Sequence, residues 1–164
     1  MNKTKYISFL AFAVIIGVIT ISVSACSKQK QSKIKPADAE PVSVTVYKRP
    51  SCQCCSKWAA YMEESGFAVT IKPTAKLAAV KTQYGVPANL RSCHTALVDG
   101  YIVEGHVPAE MVKKLLKNRP DARGIAVPGM PPGSPGMGKG GRPFKILLFD
   151  GQGSISVYGV GNKN

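Results

Sequence analysis

Acidic side chains are scarce in this chain: nine Asp and Glu stand against 22 Lys and Arg in 164 residues, a formal net charge of +13. With so few carboxylates, none of them arrayed in a loop, a hard-cation site such as one for calcium is excluded. Any metal must be held by soft, covalent ligands. Aromatic residues are also few, at 7% with one Trp, and no basic stripe is interleaved with aromatic rings. A strongly basic chain usually meets an anionic partner, but without stacking platforms nucleic acid is a poor fit. Anionic lipid or cell-wall surfaces suit it better. No internal repeat is visible.

Hydrophobic residues are concentrated at the front. Lys3 and Lys5 form a positive start, and residues 7–23 form an almost unbroken apolar run, which is compatible with a signal peptide or a one-pass anchor. Val23-Ser24-Ala25-Cys26 then places small residues directly before a cysteine, as in the lipobox where bacterial lipoproteins are cut and acylated. The expectation is a signal peptide over 1–25 and a lipidated Cys26, with the remainder in the cell envelope, facing the periplasm or the exterior. Several acyl chains make such an anchor stable, at about 0.8 kcal/mol per buried methylene. Without Lys3 and Lys5 the balance becomes 20 basic to 9 acidic side chains. Residues 26–41 read as the lipidated Cys and a polar, aperiodic linker with a reach of about 50 Å when extended. One domain follows over 42–164, large enough to bury a core.

Within that domain, Val42 to Tyr47 alternates apolar and polar residues with heavy β-branching and predicts a strand. Arg49-Pro50-Ser51 breaks it. Ser56 to Ser65 has Trp58, Tyr61 and Met62 at helical spacing, with Gly66 as a stop. Phe67 to Ile71 predicts a second strand. Thr74 to Tyr84 predicts a second helix with Leu77, Val80 and Tyr84 on its buried face. Cys93 to Val98 and Tyr101 to Val103 form a hairpin around Asp99-Gly100. Pro108 opens a third helix with Met111, Val112, Leu115 and Leu116 as its buried stripe. Residues 120–143 are a Gly/Pro-rich insertion of the length that is usually functional or disordered. Lys145 to Phe149 and Ser154 to Tyr158 form a last hairpin through Asp150-Gly151. The order βαβα followed by ββα predicts an α/β, thioredoxin-like fold: a mixed central sheet flanked by helices, with a Gly/Pro-rich loop and a C-terminal hairpin.

Cys52, Cys54 and Cys55 lie between a strand end and a helix start, where unpaired N–H groups and the helix dipole favour thiolate over thiol. Cys52 and Cys55 have Cys-x-x-Cys spacing, which suits redox chemistry, but that chemistry leaves Cys54 without a role. Residues three apart converge on a turn, so Cys52 and Cys55 are expected to meet while Cys54 points elsewhere. Two readings follow: thiolates bridging two or more metal ions, or a Cys52–Cys55 disulfide with Cys54 as buried filler. Cys93 and His94 open the third strand, facing the cysteine turn in such a fold. Adjacent strand residues point to opposite faces, so both can aim inward only at a bulge or before the strand begins. His106 precedes the third helix and reads equally as a ligand or as a helix-start residue bonding backbone or Glu104. Met130 and Met137 are thioethers on a flexible loop, and thioether suits Cu(I).

Four segments together resemble the CopG-type periplasmic copper-resistance family: Val46-Tyr47-Lys48-Arg49-Pro50-Ser51-Cys52-Gln53-Cys54-Cys55, Ser92-Cys93-His94-Thr95, Val103-Glu104-Gly105-His106-Val107-Pro108-Ala109 and Gly129-Met130-Pro131-Pro132-Gly133-Ser134-Pro135-Gly136-Met137. The resemblance implies a thioredoxin-like fold and a cysteine-built copper site in a copper-tolerance setting. The lipobox departs from the soluble family pattern, as do Gln53 and Ser56 at positions where glycine is expected.

The function expected is therefore an exported, membrane-tethered lipoprotein that binds copper as Cu(I). Cys52, Cys54, Cys55 and Cys93 would be its core ligands, with His94, His106, Met130 and Met137 in outer positions. Copper ions, the membrane and other copper-handling proteins are the expected partners. Copper redox activity is open. Two rivals stand beside this reading: a thiol–disulfide oxidoreductase using Cys52 and Cys55, and a zinc-stabilised interaction module with Cys3His ligation. Cys54 and the loop methionines favour copper over both.

Overall fold

The computed structural model describes residues 40–162. The signal peptide expected over 1–25, the expected lipidation site Cys26 and most of the expected linker lie outside them. Among the described residues no helix is long and apolar enough to cross a membrane.

Among the described residues, seven strands and three α-helices make a mixed α/β fold. The strands are β1 (Ser43–Lys48), β2 (Ala68–Pro73), β3 (His94–Val98), β4 (Tyr101–Glu104), β5 (Gly124–Ala126), β6 (Phe144–Phe149) and β7 (Ile155–Gly161). The helices are α1 (Gln53–Glu64), α2 (Leu77–Gln83) and α3 (Ala109–Asn118). They build one sheet of order β2-β1-β3-β4-β5-β6-β7. β1 runs parallel to β2, and β4 to β5, and every other neighbouring pair is antiparallel.

Strand alternation divides the core into two faces. Val44, Val46, Ala96, Val98 and Val103 project to one side and pack with Trp58 and Met62 of α1 and Val112 and Leu115 of α3. Residues of opposite parity, including Ile102 and Ala126, pack with Val86 and Leu90 beyond α2. Trp58 clamps the first face, because its indole N–H donates to the Val107 carbonyl at 2.9 Å just before α3. The Tyr61 hydroxyl takes the Ala109 N–H at 3.0 Å, satisfying one of the free donors of α3. The β3–β4 turn has Asp99 and Gly100 at φ 46° and 86°, the left-handed pair that a two-residue hairpin requires.

Three expectations change. α1 begins three residues before Ser56, so Cys54 and Cys55 belong to its first turn. α2 is shorter than expected: Thr74 to Lys76 leads into it as a non-helical connection in which the Thr74 hydroxyl accepts the Lys76 N–H at 3.0 Å. Its buried residues are Leu77 and Lys81, not a Leu77-Val80-Tyr84 stripe. The Gly/Pro-rich stretch contains β5, whose three residues are all buried.

Candidate metal centre

The Cys52 backbone is extended (φ −74°, ψ 99°) and α1 starts at the next residue. That break changes where the sulfurs go. Cys54 does not point away: its Sγ lies 3.4 Å from the Sγ of Cys52, because the non-helical residue at the cap removes the regular angular offset between them. Cys52 and Cys55 form a disulfide, while Cys54 and Cys93 are free thiols. The alternative of a disulfide with a buried filler is thus met in its bond but not in its filler, since Cys54 is half-buried. The upstream turn is tied down by Lys48, whose ammonium, although buried, donates to the Arg49 and Pro50 carbonyls at 3.1 and 3.2 Å.

Cys93 approaches from the opposite segment. β3 begins at His94, so Cys93 precedes the regular alternation and both side chains face the site. The four sulfurs of Cys52, Cys54, Cys55 and Cys93 lie within 4.8 Å of one another. Ligand atoms of Cys93, His94 and His106 form a second group within the same limit, so Cys93 belongs to both.

The imidazoles are prepared differently from the thiols. His106 has its Nδ1 2.7 Å from the Pro135 carbonyl and its Nε2 2.9 Å from Cys93 Sγ. A carbonyl only accepts, so Nδ1 carries the proton and the Nε2 lone pair faces the sulfur, the arrangement by which outer partners orient metal-binding histidines. His94 is fully buried. It packs between Trp58 and His106, with ring centroids 4.4 and 5.0 Å away. Its Nδ1 is 3.3 Å from Cys93 Sγ, and among the described residues its Nε2 has no partner. Burial, then the neighbouring His106 and Lys81, hold His94 well below the usual imidazole range, and burial also lowers His106. Both rings are neutral at pH 7 and able to donate a lone pair. Burial, reinforced by Cys54, pushes the Cys93 thiol up to about 12. A metal arriving at Cys93 must therefore displace a proton.

Sequence reasoning missed the supports. Glu104 is fully buried, pairs with Lys81 and accepts from the Thr95 hydroxyl and from the backbone N–H of Ser92. This network fixes the segment that presents Cys93 and His94. One signal was legible: a glutamate at the end of an apolar strand, directly opposite Thr95 in the β3–β4 register. Pro135 was missed because its role is a backbone carbonyl. Its loop closes on the site at Gly136, which has φ +85° and where a Cβ would come within 2.8 Å of the Cys54 carbonyl. Ser92 Oγ donates to the Gly129 carbonyl, joining the same loop to the Cys93 segment. Met130 is exposed and lines the cavity beside Cys52 and Cys93. Met137 is half-buried at the loop's far end.

The geometry has counterparts. The family model described as "Protein of unknown function, DUF411" matches residues 90–137, which span the Cys93 segment, His106 and the loop. Two solved structures, described as copper resistance protein CopG in Form 1 and Form 2, each share 42% identity and a TM-score of 0.70 with this chain, covering 74% of it and 98% of their own length. The chain belongs to the CopG family. No curated protein matches it. In a CopG-family chain, a cluster of four cysteines able to hold a metal points to copper handling.

Proposed function

We propose that this CopG-family protein binds copper as Cu(I), in a thiolate-bridged cluster of more than one ion on Cys52, Cys54, Cys55 and Cys93. The observation that carries this reading is the mutual proximity of the four sulfurs, within 4.8 Å. Metal–thiolate bonds of about 2.3 Å allow two sulfurs on one ion to stand up to about 4.6 Å apart, so the spacing suits ligation and bridging. Thiolates select soft Cu(I) over hard cations. His94 and His106 would take outer positions, and Met130 and Met137 would supply thioethers from the loop. A copper ion joined by histidine could pass between Cu(I) and Cu(II).

The fold reads as thioredoxin-like, supported by the β1-α1-β2-α2-β3-β4-α3 order and the parallel β1–β2 pair beside an antiparallel β3–β4 hairpin. The lipobox supports a lipid anchor at Cys26 and a site outside the cytoplasm. Buffering, tolerance and redox handling of copper are the roles that fit. A second reading, thiol–disulfide exchange, is favoured by the Cys52–Cys55 disulfide. Titration of the reduced protein with Cu(I) against a competing chelator separates the two. Saturation above one equivalent, lowered in Cys54→Ser, is expected. Saturation at or below one ion, unchanged in Cys54→Ser, would put thiol exchange first.

A further inference from the structure

The Cys52–Cys55 bond closes two of the four sulfur ligands, and a cavity lies against one end of it. This cavity, of about 610 Å³, is lined by Cys52, Cys93, Arg49, Lys81, Arg91 and Leu77 among others, with no acidic side chain in its wall. Lys81 is matched by Glu104. Among the described residues, neither guanidinium has a carboxylate partner. Arg91 is held in place by the Val86 carbonyl and the Thr82 hydroxyl at 3.3 and 2.9 Å, while Arg49 is exposed. The two ends of the disulfide differ: Cys52 lines the cavity, whereas Cys55 is fully buried. A reagent in the cavity can therefore reach the Cys52 sulfur and not that of Cys55.

We propose that this cavity docks a small anionic thiol, held by Arg49 and Arg91, which reduces the Cys52–Cys55 disulfide and so opens the four-sulfur site. The thiolate attacks Cys52 Sγ, forming a mixed disulfide and breaking the Cys52–Cys55 bond. Cys55 leaves with the electron pair as a thiolate in the first turn of α1, where the helix N-terminus stabilises it, and then takes up a proton. A second thiolate attacks the small molecule's sulfur and releases Cys52. Two small thiols become one disulfide, and two electrons and two protons pass to the protein. The inference deepens the copper reading, since it gives the reduced state in which all four sulfurs are free to bind, but its chemistry is measurable without metal.

The test uses three two-carbon thiols that differ in charge: 2-mercaptoethanesulfonate, 2-mercaptoethanol and cysteamine. The oxidised protein is treated with each, and release of Cys52 and Cys55 is followed by alkylation and peptide mass. Rates are corrected for thiolate fraction and intrinsic nucleophilicity. The sulfonate should react about tenfold faster than cysteamine, at the lower end of what a charged cleft does for an encounter, and its rate should saturate with concentration. Arg49→Gln, at an exposed position, and Arg91→Gln should each reduce the preference. Lys113→Gln and Lys114→Gln, which remove charge outside the cavity, should keep it. Equal rates for the three thiols, a preference that survives both arginine changes, or a protein isolated under oxidising conditions without a Cys52–Cys55 bond would each overturn the assignment. A protein that follows the charge order yet binds no Cu(I) would leave the docking site standing and remove the copper reading.

Discussion

The sulfur side and the imidazole side of the centre share Cys93 but are built in opposite ways. Cys52, Cys54 and Cys93 are half-buried, with Cys52 and Cys93 in the wall of a cavity, and they are close enough to exchange partners and able to exist as disulfide, thiol or thiolate. His94 and His106 are fully buried, with one ring fixed by Pro135 and the other packed against Trp58. The difference separates two tasks. Donors at the mouth change state to capture an ion, while donors beneath are pre-organised and limit the geometry that a captured ion adopts.

Cys93 is the residue at which the two sides are coupled. Cys93→Ser should weaken Cu(I) binding more than about 100-fold, because it removes a ligand from both groups. His106→Gln should cost about tenfold, in the range of outer-shell changes. Chelator competition with each variant checks the order. Equal losses would mean that the two sides are not distinct in role.

A steric change sharpens the same contrast. Gly136→Ala forces a Cβ at φ +85° toward the Cys54 carbonyl at 2.8 Å and the Trp58 amide at 3.0 Å, both of them backbone atoms that cannot swing aside. The expected loss is about 1–3 kcal/mol in denaturant unfolding. The loop that carries Pro135 would also move, so His106 loses its orientation while the cysteine turn keeps its sulfurs. Wild-type stability in Gly136→Ala would show that the loop does not close on α1.

How much of this was legible in the sequence depended on the range of the signal. β1, β3, β4 and the last hairpin follow from alternation and from turn pairs such as Asp99-Gly100, which are local. α1 and α3 follow from their apolar stripes. β5 was hidden because Gly124-Ile125-Ala126 is too short to show a period and lies among prolines and glycines. The inward turn of Cys54 was hidden because it depends on one extended residue at the helix cap. Nothing local in the sequence marks Lys81 as buried, and its burial becomes tolerable only when Glu104 and Thr95 arrive from strands 14 to 23 residues away in sequence. The Cys93–His94 convergence was legible only as a condition, that the strand had not yet begun. His106 reads equally as ligand or helix start in the sequence, because the carbonyl that orients it lies 29 residues away.

The smallest effect is expected far from the centre. Asp150 accepts the Gln152 and Ser154 N–H groups, each at 2.8 Å, in the β6–β7 turn. Hydrogen bonds from Ser154 first, and then from Gln152, lower its carboxyl below the ordinary 3.8. A depressed carboxyl contributes stability above its unfolded value and loses it as pH falls through the folded one. Asp150→Ala should therefore lower Tm slightly at pH 7, with the difference from wild type shrinking as pH falls below 3.8 and Cu(I) binding unchanged. A change in copper affinity would mean that the hairpin communicates with the site.

X-ray absorption at the copper edge of the reduced, Cu(I)-loaded protein tests the central claim most directly. The expected spectrum has a first shell dominated by sulfur at about 2.3 Å, with a copper–copper scatterer that disappears in Cys54→Ser. A first shell of nitrogen and oxygen, or a sulfur shell without a second copper at full loading, would contradict it.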